Sequence, residues 1–305
     1  MSKSKHAPAL QGLECIHQGK VRDTFAIPDD KKHLLVVATD RVSTHNVTHL
    51  AAIPKKGHVL TAMTVFWMAN KLRGVQTHLV AYGKDIFNYL PPGDYPEDLA
   101  FRAIIVRKLT MINVEFIFRS YLAGSLYKDI YLKGKPDPYF LNLPKGLRLM
   151  SSFGKDVFTP TDKSETDNPL DGNQVVLAHW AACELARAVY KVGRAHARTC
   201  GIEIIDGKFE IGYDETPTKP ILADECLTPD SCRFVGVNDV KEGVEPMWLD
   251  KQYLREKAEA IWAGGPKVPL AFDEEVISQT TERYEKIFEA LTGVSLSEYQ
   301  SNHLT

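Results

Sequence analysis

The chain has 305 residues, 44% of them hydrophobic and 25% charged, with a formal net charge of −2. That supplies a large core, in one elaborate domain or two to three lobes, and gives no global charge that would argue for nucleic acid or a membrane surface as partner. Five cysteines without a Cys-x-x-Cys spacing exclude a disulfide framework and argue against structural zinc.

The amino terminus, Met1 to Pro8, lacks an apolar stretch after its lysines and reads as no secretory signal. Together with strand-sized apolar runs, this predicts a reduced, cytoplasmic chain that spans no bilayer. Leu34–Thr39 and Ala103–Lys108 are β-branched or Leu-rich runs bounded by polar turns and predict strands. Between them, Leu60–Leu72 predicts a helix with Leu60, Thr64, Trp67 and Leu72 on one side. Asn113–Leu122 reads as a strand interrupted by Glu115 and Arg119, followed by a short helix over Leu126–Leu132. Lys133–Gly172 is proline-rich and mostly irregular, and Phe158–Gly172 reads as a lid in preference to a merely mobile loop. Asn173–Cys200 predicts a long helix with a core stripe at Leu177, Ala181, Leu185, Ala188, Val192 and Ala195, ended by Gly201. Cys183 and Cys200 lie in that pattern as core thiols. Two further helices follow, Lys251–Trp262 and Asp273–Leu291. No internal repeat is present.

Each candidate motif carries two readings. Gly19-Lys20-Val21-Arg22-Asp23 places Lys20 and Arg22 on one face, as a phosphate clamp would, or is a surface turn. It is not a Walker A loop, because Val21 stands where Ser or Thr is required. Asp40-Arg41-Val42-Ser43 sits at the end of a strand, either facing a ligand or forming an ordinary turn. His45 and His49 have helical metal-ligand spacing but no third ligand nearby. Arg119 and Ser125 would make a phosphate site from a guanidinium, a hydroxyl and a helix terminus; alternatively Glu115 and Arg119 form an internal ion pair.

The richest stretch is Ile204–Arg233. Read as one strand, it puts Asp206, Lys208 and Glu210 on one face and Ile205, Phe209 and Ile211 on the other. A second strand over Ile221–Asp224, in a hairpin centred near Pro217, would set Asp224 opposite Glu210. Facing carboxylates beside a lysine repel unless a cation or phosphate joins them, which outlines a metal–nucleotide site. The competing reading makes Asp206-Gly207 a two-residue hairpin turn, or the alternation an ordinary solvated face.

The order of these motifs is specific. Gly19 to Asp23, Asp40 to Ser43, Arg119-Ser-Tyr-Leu-Ala-Gly-Ser125, Phe158-Thr-Pro-Thr-Asp-Lys163, Asp206-Gly-Lys-Phe-Glu210 and Asp224-Glu-Cys-Leu-Thr-Pro-Asp-Ser-Cys-Arg233 occur in succession. Together they resemble the longer form of the SAICAR synthetase (phosphoribosylaminoimidazole-succinocarboxamide synthase) family, from about Glu14 to Leu291. The resemblance implies an α+β fold of antiparallel sheets with flanking helices, similar to two-lobed ATP-grasp and protein-kinase-like architectures. It implies a nucleotide-covering lobe over residues 1–110 and a larger ribotide and metal lobe with the C-terminal helices over residues 111–305. The implied reaction is ATP-dependent ligation of L-aspartate to the carboxylate of carboxyaminoimidazole ribotide (CAIR) in purine biosynthesis, with ATP and Mg²⁺ as cofactors.

By resemblance, Glu210 and Asp224 hold Mg²⁺. Gly19, Lys20, Arg22 and Lys208 address ATP phosphates, the Lys108–Leu109 backbone meets adenine, and Glu115 meets the ribose. Arg119, Ser125 and Arg233 bind the ribotide 5′-phosphate, Asp230 the aminoimidazole end, and Asp206 lies at the reacting centre. Ser43, Thr159 and Lys163, in the Ser43–Asn46 and Thr159–Lys163 loops, serve aspartate binding and closure. Asn46 departs from the aspartate that family members often carry there. A small-molecule carboxylate kinase and a non-catalytic ATP sensor are the alternatives, and the oligomeric state, monomer or homodimer, stays open.

Overall fold

In the computed structural model, which describes residue 10, residues 12–214 and residues 219–305, the chain forms two compact units. The first comprises the described residues up to Arg73, Thr77–Leu109 and Asp250–Thr305; the second comprises Gly74–Gln76 and Thr110–Leu249. The amino-terminal segment Met1 to Pro8 and the expected hairpin centre Pro217 lie outside the described residues.

The first unit begins with strands β1 (Glu14–Gln18), β2 (Arg22–Ile27) and β3 (Asp30–Ala38). Strict alternation on β2 buries Asp23, Phe25 and Ile27 and leaves their neighbours half-buried, as expected of a strand with one covered face. A separate hairpin, β4 (Arg41–Thr44) and β5 (Val47–Ala52), turns at His45 and Asn46, both with positive φ (48° and 65°). That geometry fits a primed turn whose twist matches the strands. The two histidines therefore lie on a hairpin and not on one face of a helix. Helix α1 (Lys56–Val65) continues into a π-helical stretch, Phe66–Lys71, and the expected side Leu60, Thr64, Trp67 and Leu72 is buried. Strand β6 (Leu79–Tyr82), the short helix α2 (Leu99–Arg102) and strand β7 (Ala103–Arg107) complete an antiparallel sheet ordered β1-β2-β3-β7-β6. Phe25, Ile27, Leu35, Val37 and Ile105 form its core with Leu90 and Leu99.

The second unit contains β8 (Thr110–Met111), β9 (Phe116–Tyr121), the short helix α3 (Gly124–Leu126), β10 (Ser152–Phe158), helix α4 (Gly172–Thr199), β11 (Ile202–Tyr213), β12 (Ile221–Ala223) and β13 (Cys232–Gly236). The long β11 is the hub and pairs antiparallel with β8, β9, β12 and β13. β10 occupies part of the stretch expected to be irregular; with only Val157 buried, it carries no buried alternation for a sequence reading to detect.

α4 starts where its sequence dictates, with the Asp171 carboxylate accepting N–H bonds from Asn173 and Gln174, a cap worth about 1 kcal/mol. Its buried face differs from the expected stripe. Leu177, Ala181, Ala188, Val192 and Ala195 are exposed and Leu185 is half-buried, whereas Val175, Ala182, Cys183, Ala186, Val189, Tyr190, Gly193 and Ala197 are buried. Both faces are apolar enough to pack, and the small residues decide between them. At Gly193 a Cβ would stand 2.6 Å from Leu227 Cδ1, so this face comes closer to its neighbours than the Leu177 face could. A non-helical residue, His179, also breaks the phase near the start. Cys183 is core, while Cys200 caps the helix end and is only half-buried.

The chain then returns to the first unit with α5 (Gln252–Trp262), α6 (Glu274–Thr292) and α7 (Leu296–His303). Leu254 and Val276 share a core with Val42 and Ile53, and the Leu270 carbonyl accepts N–H bonds from Leu50 and Ala51. The expected lobe over residues 111–305 is corrected accordingly: the C-terminal helices group with the amino-terminal unit, because their apolar faces complete its second core. No helix among the described residues is long and apolar enough to cross a membrane.

Candidate active site

In the second unit, β11 runs unbroken for 12 residues through Asp206-Gly207, so the two-residue hairpin reading is not realised. Ile205, Phe209 and Ile211 are fully buried, and Lys208 and Glu210 alternate with them on the half-buried face. The partner strand is shifted by one residue from expectation: Glu210 pairs with Ala223, not Asp224. Three buried apolar residues, Ile221–Ala223, fix that register. Asp224 then leaves the ladder in the left-handed region (φ 57°). It nonetheless acts on the same charge cluster, since its carboxylate field reaches Lys208.

That cluster is dense. Lys208 Nζ lies 2.8 Å from Glu115 Oε1 and 3.2 Å from Glu210 Oε1, while Lys163 donates to the other oxygen of Glu210. Glu115 also accepts from Thr161 Oγ1 (2.7 Å). Burial alone would depress the Lys208 ammonium, but Glu210, Glu115 and Asp224 outweigh it and raise its pKa. Burial alone would raise Glu210, but Lys208 and Lys163 overcome it and hold the carboxyl down to about 2. Glu210 is therefore an anion at any physiological pH. A hard divalent cation that completes its shell with phosphate oxygens needs only one or two such carboxylates. Glu210 offers one such carboxylate beside the field of Asp224, and no group of three or more His, Cys, Asp or Glu clusters among the described residues.

One strand-turn further, Asp206 Oδ2 accepts from Arg119 Nη1 and from Arg233 Nη1, each at 2.6 Å. Cross-strand register produces this: Asp206 pairs with Arg119 of β9 and with Arg233 of β13. Asp206 and Arg119 are 4% and 5% exposed, a burial that only charge-assisted bonds make tolerable. Arg119 Nε also donates to Thr159 Oγ1 (2.9 Å). Arg119 thus pairs with Asp206 and not with Glu115, whose partners are Lys208 and Thr161; the internal Glu115–Arg119 pair is not formed. Gly124, at φ 59°, borders the Arg233 guanidinium, and Ser125 beside it is exposed. Asp230 is 8% exposed in a loop where the Thr228 N–H donates to Ser231 Oγ (3.1 Å) and Thr228 Oγ1 donates to Glu225.

In the 160s segment, Asp162 accepts from the backbone N–H groups of Ser164 and Asn168, and Thr161 bridges to both Glu115 and Pro169. The segment is thus tied down by its own polar side chains, and it delivers Thr159 to Arg119 and Lys163 to Glu210.

In the first unit, the Gly19 N–H donates to the Arg22 carbonyl (2.8 Å), closing a tight turn that projects Lys20. Lys20 Nζ donates to Asn46 Oδ1 at the β4–β5 turn. Ser43, on β4, is buried and pairs with Thr48. Lys108 is exposed with its N–H on the Lys32 carbonyl, and Leu109 is half-buried. Sequence reasoning did not find the brace of this turn. Arg41 donates to the Gly19 carbonyl (2.9 Å) and to both oxygens of the buried Asp23 (2.9 and 2.6 Å). The two residues are 18 apart, on strands without a shared pattern, so no local signal could have paired them.

Comparison with known proteins identifies the family. The family model for SAICAR synthetase matches residues 15–269. Phosphoribosylaminoimidazole-succinocarboxamide synthase of Stenotrophomonas maltophilia (strain K279a) is 36% identical, with 94% of this chain and 96% of the relative covered. The enzyme of that name from Schizosaccharomyces pombe is 37% identical over 91% of this chain and 94% of its own. A solved SAICAR synthase from Saccharomyces cerevisiae, complexed with SAICAR, superposes with a TM-score of 0.83 at 34% identity, covering 96% of this chain and 99% of that one. A type-2 SAICAR synthetase in complex with ADP, 22% identical, shares the fold (TM-score 0.63). The chain belongs to the SAICAR synthetase family.

Proposed function

We infer that this chain is an ATP-dependent carbon–nitrogen ligase that joins L-aspartate to the carboxylate of CAIR, giving SAICAR, ADP and phosphate in purine biosynthesis. The observation that carries the reading is the near-full-length match, at 34–37% identity, to proteins of that name. A carboxylate is a poor electrophile, so one of its oxygens must first take the γ-phosphoryl group of ATP; the aspartate amine then attacks the acyl phosphate and phosphate leaves. Such polyanionic reactants require cationic side chains to offset their repulsion.

The chain's own residues supply that charge. In the second unit, Lys208 addresses a phosphate, and Glu210 with Asp224 would hold Mg²⁺, which when bound neutralises charge on the phosphates. Glu115 is assigned to ribose hydroxyls. Arg119, Ser125 and Arg233 present the ribotide 5′-phosphate with two guanidiniums and a hydroxyl, and Asp206 orients both guanidiniums. Asp230 addresses the aminoimidazole, and Thr159 and Lys163 serve aspartate and closure. In the first unit, Gly19, Lys20 and Arg22 address ATP phosphates, the Lys108–Leu109 backbone adenine, and Ser43 aspartate. That unit acts as the nucleotide-covering lobe of an architecture related to ATP-grasp and protein-kinase-like enzymes, working in the cytoplasm.

The test is purified protein with ATP, Mg²⁺, CAIR and aspartate, followed for both ADP and SAICAR. Equimolar ADP and SAICAR is the expected result. ADP without SAICAR indicates a carboxylate kinase, and tight ATP binding without turnover indicates a sensor.

A further inference from the structure

Asp206 meets Arg233 because of a β-bulge. Along β11 and β13, Ile204 pairs with Phe234 and Asp206 pairs with Arg233, so Ile205 is one residue in excess. A regular ladder would instead bring Ile205 opposite Arg233 and carry Asp206 on to Cys232. The slip concerns β13 alone, since Asp206 to Phe209 keep regular register with β9. The extra residue of a bulge has no ladder partner, and its buried backbone groups need a donor from elsewhere.

Tyr190 of α4 is that donor. Its ring is fully buried (0% exposed), and its hydroxyl lies 3.2 Å from the Ile204 carbonyl and 3.1 Å from the Ile205 carbonyl. The same oxygen lies 3.0 Å from Ser120 Oγ, next in sequence to Arg119. The Ser120 proton goes to Asp156 Oδ1 (2.6 Å), so three acceptors converge on the single phenolic proton. Asp156 is in turn held by Arg194 Nη1 (3.1 Å). The ring itself is placed by Phe118 and Phe209, with centroids 6.2 and 6.3 Å away. A single hydroxyl thus spans the bulge on β11 and the residue beside Arg119 on β9.

We propose that Tyr190 is a positioning residue for ribotide binding: its hydroxyl pins the Ile204–Asp206 bulge and so fixes Asp206 between the Arg119 and Arg233 guanidiniums. The proposal rests on the assignment of those two arginines to the ribotide phosphate. Tyr190 touches no reactant in this scheme. It acts through the register of β11 with β13, and ATP affinity does not depend on it.

The experiment compares wild type with Tyr190→Phe, which keeps the ring between Phe118 and Phe209 and removes only the hydroxyl. In hydrogen exchange without ligand, peptides spanning residues 202–207 are expected to exchange about tenfold faster in the variant, while peptides from α5 stay within about twofold. In steady state the ribotide KM is expected to rise about tenfold, with the ATP KM and kcat within about threefold. Unchanged exchange over residues 202–207 overturns the proposal, as does an equal rise in both KM values, which a merely structural role would give. Ser120→Ala leaves the phenolic proton to the two carbonyls and is expected to keep the ribotide KM within about threefold; a loss equal to that of Tyr190→Phe would assign the effect to Ser120 and overturn it too. Wild type that yields no SAICAR would reject the ligase reading, and the exchange comparison would still decide the role of Tyr190.

Discussion

A methyl group on Gly124 would stand 2.6 Å from Cζ of Arg233, so the guanidinium occupies the space a side chain there would need. Gly124 also holds φ 59°, where an L-residue costs roughly 1–2 kcal/mol. Gly124→Ala is therefore expected to displace Arg233 from Asp206 and raise the ribotide KM about tenfold, with the ATP KM unchanged. Ribotide titrations at saturating ATP measure this, and a wild-type ribotide KM would show that the guanidinium gives way without loss.

With Arg233 assigned to the ribotide phosphate as proposed, Arg233→Ala removes one charge-assisted bond and should weaken ribotide binding by about 1.5–3 kcal/mol. Asp206→Ala acts differently, since it leaves the buried Arg119 facing Arg233 without the carboxylate between them. Breaking a buried pair in this way costs about 3–5 kcal/mol of stability. Urea midpoints separate the two cases: a near-normal midpoint for Arg233→Ala and a large loss for Asp206→Ala are expected.

Glu210→Gln keeps the shape of the side chain and removes the charge that Lys163 and Lys208 hold in place. Turnover at saturating ATP is expected to fall by orders of magnitude, with the midpoint of the Mg²⁺ dependence moved upward. Unchanged turnover with an unchanged Mg²⁺ midpoint would reject the metal assignment. The same variant has a signature in acid. The folded-state value of Glu210, about 2, lies below its ordinary 4.5. Its ion pairs therefore contribute stability above about pH 4.5 that is lost as pH falls toward 2. Denaturant midpoints from pH 5 to 2 should fall less steeply in Glu210→Gln than in wild type.

His49 supplies a second pH dependence, in the first unit. The Leu270 N–H donates to its Nδ1 (3.2 Å), so Nε2 carries the proton and donates to Thr44 Oγ1 (2.7 Å). Trp262 and Phe272 flank the ring at 5.8 and 4.8 Å. Burial, and secondarily Lys251, lower its pKa from 6.5 to about 4. A depressed folded-state value means that stability is fully present above pH 6.5 and is lost as pH falls through 4, with an upper value of about 3 kcal/mol. Histidine titration by NMR should find one ring still neutral at pH 5; a normal titration near 6.5 would contradict the packing.

The chemistry of the site was legible in the chain because charged residues on an apolar strand are conspicuous wherever they fall. Asp206, Lys208 and Glu210 betray β11 by their period of two, and Arg119 interrupts β9 in the same way. Their partners were less legible. The sequence allowed Glu115 to pair with Arg119, yet Lys208 takes Glu115 and Asp206 takes Arg119, because strand register sets cross-strand neighbours and no local pattern encodes it. The one-residue shift that sets Glu210 against Ala223 has the same origin: three buried residues on β12 outweigh the symmetry of the hairpin. On α4 the sequence offered two apolar faces, and close packing at Gly193 selected the one with small residues.

By itself, then, the sequence determined the long helices, the continuous charged strand and the family, since these depend on residue order and short-range periodicity. Only the tertiary structure decided that the C-terminal helices complete the first unit, that Arg41 braces the Gly19 turn through Asp23, and that a bulge held from α4 brings Asp206 to Arg233. Each of these joins residues distant in sequence through burial and register, which are settled when the whole core packs.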